Sequence, residues 1–152
     1  MSKIHIIRQV QTLAIPVEEA WKFFSSPENL VKITPVSLDF KITSELNRSE
    51  IYKGQLITYK VRPLWGIGLK WISEITHIER FKLFVDEQRK GPYKLWRHEH
   101  HFKPIADGTE MTDIVQYKIP FGILGNLGLP FVKRQLERIF DYRRRKMEEI
   151  FE

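Results

Sequence analysis

The sequence contains no cysteine. This absence excludes a disulfide framework, thiolate metal ligands and a cysteine nucleophile, and it fits a reducing compartment. Long apolar runs are absent as well. Arg8, Gln9 and Gln11 interrupt the first apolar stretch, so no signal peptide is expected, and no other stretch reaches the length of a membrane span. Together these absences predict a cytoplasmic protein.

The chain also lacks internal repeats, low-complexity tracts and linkers. Its 152 residues are therefore expected to form a single domain over residues 1–152, long enough to bury a substantial core. The net charge is +6, and the cations are spread along the chain. Because no nucleic-acid recognition module accompanies them, we interpret them as a solvated basic surface and expect no nucleic-acid partner.

Hydrophobic spacing predicts the order of the elements. A strand is expected over about residues 3–15, then a helix after Pro16, and then a short helix over Glu28–Ile33 that ends before Pro35. Strict alternation from Val36 to Thr43 predicts the next strand. Further strands are predicted over about 54–62, 68–78, 82–89, 94–105 and 108–119, with Asp107–Gly108 as a hairpin turn.

The period changes to that of a helix from about Leu129, with Gly125, Gly128 and Pro130 near its start. A helix of about 22 residues is about 33 Å long but only about 10 Å across, whereas seven strands span about 30 Å. One helix covers such a sheet only if the sheet curls around it. The space between them is then either a ligand cavity or filled by the chain's own aromatic side chains.

Alternation also predicts which side chains point into the curved sheet. The expected inward sets are Trp96, His98, His100 and Phe102 in one strand, Met111, Asp113, Val115 and Tyr117 in the next, and Phe84, Asp86 and Gln88 in an earlier one. An unpaired buried polar group costs about 1–3 kcal/mol. The histidines and aspartates are therefore expected either to pair with one another or to face a wet space that a ligand can enter.

Three unusually apolar loops should meet at one end of an antiparallel meander: Pro63–Ile67, Gly91–Tyr93 and Pro120–Leu124. Cations flank them, namely Lys60, Arg62, Lys70, Arg89, Lys90, Lys94 and Lys118. An apolar tip inside a basic rim predicts a cavity mouth for an amphipathic ligand, or a surface that touches an anionic membrane. A self-packed hydrophobic lid is the alternative.

The Gly91–Pro92 turn, the W-x-H-x-H strand from Trp96 to His100 and the T-x-M-x-D strand from Thr109 to Asp113 lie within residues 84–122. Together with the closing helix over Arg134–Arg145, they resemble the START-like (SRPBCC, birch-pollen-allergen-like) superfamily, in its polyketide cyclase/dehydrase-like branch. The resemblance implies an α+β helix-grip fold. In this fold a curved seven-stranded antiparallel sheet surrounds a long C-terminal helix, two short helices follow the first strand, and an internal cavity holds a hydrophobic ligand.

The resemblance does not transmit one function. Similar proteins include lipid carriers, plant hormone-binding proteins, aromatic-ring cyclases and quinone-binding proteins. Relatives can also be fused to, or encoded beside, nucleotide-sugar-epimerase-like proteins, which implies a partner enzyme of that type.

Our first hypothesis is binding or carriage of a lipid, isoprenoid, quinone or polyketide-like molecule, with no cofactor. The candidate ligand-binding residues are Trp71, Phe84, Asp86, Gln88, Trp96, His98, His100, Phe102, Met111, Asp113, Tyr117, Leu136, Phe140 and Arg143. Arg143 shares the apolar helix face, so it either reaches the cavity and pairs with Asp113 or Asp86, or lies exposed at the edge of that face.

The second hypothesis is a cyclase, dehydratase or hydrolase. His98 and His100 with Asp113 could perform acid–base chemistry on a carbonyl compound, with His98 oriented by Asp113 as the base. No nucleophile signature, phosphate-binding glycine loop or cofactor motif accompanies them, so binding without turnover is the preferred interpretation. The same three residues could form a two-histidine-one-carboxylate metal set, but an H-x-H pair is a weak signal and no metal is expected.

Overall fold

The computed structural model describes residues 3–46, 50–64, 67–120 and 127–151. These residues form a seven-stranded sheet, two short helices and one long helix. The strands are β1 (His5–Leu13), β2 (Lys41–Ile42), β3 (Leu56–Leu64), β4 (Ile67–Glu79), β5 (Leu83–Lys90), β6 (Leu95–Ile105) and β7 (Gly108–Lys118). The helices are α1 (Val17–Phe24), α2 (Glu28–Lys32) and α3 (Leu129–Ile150). No helix of the described ranges is long and apolar enough to cross a membrane.

The sheet is antiparallel throughout, in the order β1-β7-β6-β5-β4-β3-β2. Its register shifts once between β3 and β4, at Val61–Leu64, and twice between β4 and β5. Such bulges raise the local twist and bend the strand. The sheet therefore curves around α3, and the predicted helix-grip architecture is confirmed.

The segment from Val36 to Thr43 corrects the sequence-based prediction of a strand. Residues Val36–Leu38 form a 3-10 turn, and only Lys41–Ile42 pair with β3. Pro35 precedes the turn, and Asp39 ends it with a positive φ of 45°. Val36, which the alternation placed on the dry face, is 87% exposed. The alternating pattern was wrong here because a left-handed residue interrupts the extended backbone.

The β6–β7 hairpin turns over Ala106–Asp107, one residue before the predicted Asp107–Gly108 pair, and Gly108 is the first residue of β7. Gly108 has a φ of +153°, and a Cβ atom at this position would lie 2.0 Å from the carbonyl oxygen of Leu13. Only glycine lets the hairpin approach the end of β1 so closely. The predicted start of the long helix is also confirmed, because α3 begins directly after Gly128 and takes Pro130 into its first turn, where no amide hydrogen is needed.

The end of β3, the start of β4, the turn between β5 and β6, and the end of β7 lie at one end of the sheet, which we call the turn end. The turn over 91–93 is described. Of the other two apolar loops, residues 65–66 and 121–124 lie outside the described residues, so the predicted clustering of all three loops stays a prediction.

Two clusters of buried apolar side chains lie under the sheet. The far cluster, away from the turn end, is centred on Trp21, whose ring lies edge-on to Phe84 and Phe102 with centroid distances of 5.7 and 5.3 Å. The turn-end cluster consists of Trp96, Val115, Tyr117, Leu136 and Phe140. Each cluster draws on both the sheet and α3.

Candidate functional site

A cavity of about 720 Å³ lies between the sheet and the three helices. Its wall is mainly apolar, and every layer of the fold contributes to it. Phe24, Leu30 and Ile33 come from the α1–α2 region, Ile57, Tyr59, Trp71 and Trp96 from the sheet, and Val132, Leu136, Ile139 and Phe140 from α3. The space under the curved sheet is thus not completely filled by aromatic side chains.

Five polar side chains form a layer between the two apolar clusters. They are Asp86 on β5, His98 and His100 on β6, Asp113 on β7, and Arg143 on α3. Along β6 the sequence runs from Trp96 in the turn-end cluster, through the two histidines, to Phe102 against the far cluster. The same order, apolar then polar then apolar, recurs along β7 and along α3. We call these five residues the polar layer.

The two histidine–aspartate hydrogen bonds of the polar layer run diagonally from β6 to the strands on either side, β7 and β5. His98 faces Asp86 in the strand register, and His100 faces Asp113. Yet the Nε2 atom of His98 donates to Asp113 Oδ1 at 2.8 Å, and Nε2 of His100 donates to Asp86 Oδ2 at 2.7 Å. Each histidine therefore leans to the diagonal carboxylate. The two imidazoles stack with centroids 3.7 Å apart, and Phe84 stacks on His100 at 4.0 Å.

Asp113 is the most strongly paired acid of the layer. Its Oδ1 accepts a hydrogen bond from Arg143 Nη2 at 3.2 Å in addition to the one from His98. Burial alone would raise the pKa of Asp113, but the Arg143 charge and the His98 hydrogen bond hold it well below its ordinary value. Asp113 is therefore ionised at neutral pH, and the buried Arg143 is its counter-ion.

The environment keeps His100 neutral. Burial, together with the neighbouring His98, lowers the pKa of His100 to about 4, although Asp86 and Asp113 act in the opposite direction. Burial would raise the pKa of Asp86, but the hydrogen bond from His100 and the electrostatic interactions with His100, His98 and Arg143 together outweigh it, and the pKa lies below its ordinary value. At neutral pH, a neutral imidazole therefore donates to an ionised carboxylate.

The cavity wall shows only part of this network to a ligand. Asp113 lies behind the wall, whereas Asp86, His98, His100 and Arg143 line it. The Nε2 atom of His98 is bound to Asp113, so Nδ1 is the ring nitrogen that remains for a ligand. The Oδ1 atom of Asp86 has no hydrogen-bond partner among the described residues. In the neutral form of His98, both of these atoms are hydrogen-bond acceptors.

The structure places nine of the fourteen predicted ligand-binding residues on the wall: Trp71, Phe84, Asp86, Trp96, His98, His100, Leu136, Phe140 and Arg143. Asp113, Phe102, Met111 and Tyr117 are buried behind it. The side chain of Gln88 lies at the β5–β6 turn. Its Nε2 atom donates to the carbonyl oxygen of Tyr93 at 2.7 Å, and its Oε1 atom accepts from the amide of Tyr93 at 3.2 Å. Ligand binding by any of them stays a prediction.

The sequence analysis did not include the walls formed by α1, α2 and β3. Leu30 and Ile33 lie three residues apart, the spacing of one helix face, and Ile57, Tyr59 and Val61 alternate along β3. Both signals are present in the sequence. Neither indicates a cavity by itself, because both patterns also fit an ordinary packed core.

The polar layer also holds the best metal-ligand set of the described residues. Asp86, His98 and His100 each offer a ligand atom within 4.8 Å of the others, a different set from the predicted one with Asp113. The Nε2 atoms of His98 and His100 already donate to carboxylates, and the guanidinium of Arg143 adds positive charge nearby. A hydrogen-bond network is therefore the simpler description of these side chains, although His100 Nδ1 and Arg143 Nε are buried without a hydrogen-bond partner among the described residues.

Known structures share this fold at low sequence identity. A protein of Thermus thermophilus, TTHA0849, has a TM-score of 0.72 at 15% identity, covering 95% of both chains. The Zhui aromatase/cyclase from a Streptomyces species has a TM-score of 0.72 at 14% identity, covering 95% of this chain and 92% of its own. The major latex-like protein 151 of Panax ginseng has a TM-score of 0.70 at 11% identity, covering 98% of both chains.

No curated protein matches this sequence. Residues 13–141 match the family described as polyketide cyclase / dehydrase and lipid transport. That match spans most of the sequence: it includes β2 to β7 and α3 as far as Asp141, but only the last residue of β1, Leu13. The chain therefore belongs to the polyketide cyclase / dehydrase and lipid transport family.

Proposed function

We propose that the chain binds an apolar or amphipathic small molecule in the cavity, with the polar layer against the polar group of that molecule. One observation carries this proposal: a mainly apolar cavity of about 720 Å³ has a layer of buried, hydrogen-bonded polar groups on its wall. Pockets for small organic molecules commonly have this size and this sparse polarity. The family supports a hydrophobic ligand-binding or cyclase-type role.

Aromatic side chains at the turn end favour a ligand with a flat ring. Trp71 lies edge-on to Trp96 at a centroid distance of 5.4 Å, and Tyr93 contacts both rings at 5.8 and 4.8 Å. The Nε1 atom of Trp71 donates to Ser73 Oγ at 3.0 Å, so the indole orientation is fixed. Preordered aromatic faces bind planar ligands with little loss of side-chain freedom.

Native mass spectrometry of gently purified protein, followed by solvent extraction, tests the proposal directly. We expect a stoichiometric apolar passenger, or, for protein that emerges empty, binding of the neutral fluorescent probe N-phenyl-1-naphthylamine with a stoichiometry of one. An empty protein that also fails to bind the probe would contradict the proposal.

Filling the cavity should abolish this binding without unfolding the protein. Ile139 lines the cavity from α3, so Ile139→Trp places an indole in the ligand space, and we expect at least tenfold weaker probe binding in a fluorescence titration. The matched control is Ile150→Trp, the same change at an exposed position of the same helix. Equal probe affinity in both variants and the wild-type protein would show that the probe binds elsewhere.

The His98–Asp113 hydrogen bond supports a second candidate function, acid–base catalysis in the same cavity. A carboxylate that accepts from one ring nitrogen fixes the tautomer of the imidazole and stabilises its protonated form, so the other nitrogen becomes a positioned base. The 2.8 Å distance and the position of His98 on the wall fit that role. Removal of a proton next to a carbonyl group is the corresponding first step of a cyclase or dehydratase.

Proton exchange on a bicyclic ketone measures this activity without the natural substrate. If His98 is a base, we expect the protein to accelerate exchange of the α-protons of 2-tetralone in D₂O, followed by NMR, by at least tenfold. The change His98→Gln should remove the acceleration, whereas His77→Gln, at an exposed histidine, should retain it. Exchange at the buffer rate in the wild-type protein would leave binding as the only function.

A further inference from the structure

We propose that the polar layer selects a ligand whose polar group donates a hydrogen bond and carries no negative charge, such as a hydroxyl or amino group, with Asp86 as its acceptor. This inference rests on the proposed function, because it specifies which polar group the cavity accepts. It separates hydroxylated or amino-substituted guests from fatty acids and other carboxylates.

The first support is that the cavity wall carries a hydrogen-bond acceptor on Asp86. The Oδ2 atom of Asp86 accepts from His100, and its Oδ1 atom has no partner among the described side chains. The side chain of Asp86 is 20% exposed, whereas that of Asp113 is 6% exposed. Asp86 is thus the carboxylate of the layer that a guest can reach, and a carboxylate oxygen requires a donor.

The second support is the net charge of the layer. Arg143 contributes one positive charge, Asp86 and Asp113 contribute two negative charges, and His100 is neutral at neutral pH. The sum is −1 when His98 is neutral and zero when His98 is protonated. In neither state is the layer positively charged. A buried carboxylate from a ligand would therefore add an uncompensated charge in a region of low dielectric constant.

Arg143 does not reverse this preference for uncharged donors, because its positive charge is already paired with the carboxylate of Asp113. Its Nη2 atom donates to Asp113 at 3.2 Å, and the guanidinium carbon lies 5.7 Å from the ring centroid of Phe24. A guest carboxylate bound to the remaining N–H groups of Arg143, such as the Nε that has no hydrogen-bond partner among the described residues, would share one guanidinium with Asp113, so one of the two negative charges would stay uncompensated. The pair is better described as a structural ion pair than as an anion receptor.

Tyr59, two strands away from Asp86 on β3, reports the same negative environment. Its ring lines the cavity, and burial together with the Asp86 charge raises the pKa of its hydroxyl far above the ordinary value. The carboxylate therefore acts across the cavity, and the field there favours protonated groups.

Three naphthalene probes of one ring size test the assignment by isothermal titration calorimetry. They are 2-naphthol, a donor, 2-methoxynaphthalene, which lacks the donor, and 2-naphthoate, an anion. A hydrogen bond to a charged group corresponds to roughly ten- to a hundredfold in affinity. We expect 2-naphthol to bind at least tenfold tighter than each of the others.

The change Asp86→Asn should collapse this order. The amide oxygen can still accept from His100, so the fold is retained, but the charge is lost. We expect the advantage of 2-naphthol to shrink to within about threefold and binding of 2-naphthoate to improve. Asp141→Asn, the same substitution at an exposed position of α3, should leave the order unchanged.

The outcomes separate this assignment from the proposed function. If 2-naphthoate binds as tightly as 2-naphthol and loses affinity in Arg143→Gln, the cavity is an anion receptor and the assignment is wrong, while ligand binding stands. Equal affinity for all three probes contradicts the assignment in the same way. If none of the probes binds, both the assignment and the proposed function are contradicted.

Discussion

Replacing Arg143 by methionine should lower the free energy of unfolding by about 3–5 kcal/mol, although the two side chains have similar length. The reason is the carboxylate that remains. Asp113 is buried, and Arg143 is the only full positive charge that the described residues place against it. The chain would then have to keep an ionised aspartate in the core with His98 as its main partner, or protonate it. Urea denaturation at pH 7 measures the loss.

A double-mutant cycle identifies the cause. In the double variant Arg143→Met/Asp113→Asn the orphaned charge is gone, so most of the loss should be recovered, and the coupling energy should exceed about 1.5 kcal/mol. Arg138→Met, an exposed change on the same helix, should cost less than about 0.5 kcal/mol. A loss below about 1 kcal/mol for Arg143→Met would show that solvent reaches Asp113.

Acidification from pH 7 to pH 5 should destabilise the protein by about 2 kcal/mol through His100 alone. The folded-state pKa of His100 is about 4, below the ordinary value of 6.5. Between these two values the unfolded chain binds a proton that the folded chain excludes. The His100 contribution is therefore complete above pH 6.5, falls as the pH decreases, and is lost by about pH 4. Asp86 and Asp113, whose pKa values are lowered, add their own loss at lower pH.

The change His100→Gln should flatten this part of the pH profile, because glutamine can donate to Asp86 but does not titrate. Denaturant midpoints at pH 5, 6 and 7 compare the variant with the wild-type protein. His77→Gln, at an exposed histidine, serves as the control and should retain the wild-type slope. The same slope in His100→Gln and the wild-type protein would mean that His100 is charged in the folded state.

The central strands were predictable from the sequence because their two faces differ so sharply. Along β6 and β7 the buried and half-buried residues alternate from Leu95 to Phe102 and from Thr109 to Lys118. The same rule failed from Val36 onwards, where the segment with four alternating apolar residues, Val36, Leu38, Phe40 and Ile42, forms a 3-10 turn and a two-residue strand. Alternation reports the faces of a strand but not whether a neighbouring strand is present to pair with it.

The polar layer was predictable in its membership but not in its connections. The helical spacing that joins Leu136, Phe140 and Met147 also placed Arg143 inward, and the inferred alternative of pairing with Asp113 is the one that occurs. The diagonal direction of the two histidine–aspartate bonds was not predictable. It depends on side-chain rotamers and on the stacking of His98 and His100, which the strand pattern does not encode.

The polar layer lies at a definite depth in the cavity, measured from the turn end. At about 3.3 Å per residue along β6, His98 lies about 13 Å from Lys94 at the turn end, and His100 about 20 Å. The apolar walls on either side of the layer make no directional hydrogen bonds to an apolar ligand, so they do not fix its position along the cavity. We expect a ligand to have a fixed position along the cavity where its own polar group reaches the polar layer. The distance between that polar group and the end of the ligand, rather than the ligand's total volume, should therefore decide which ligands bind in one position.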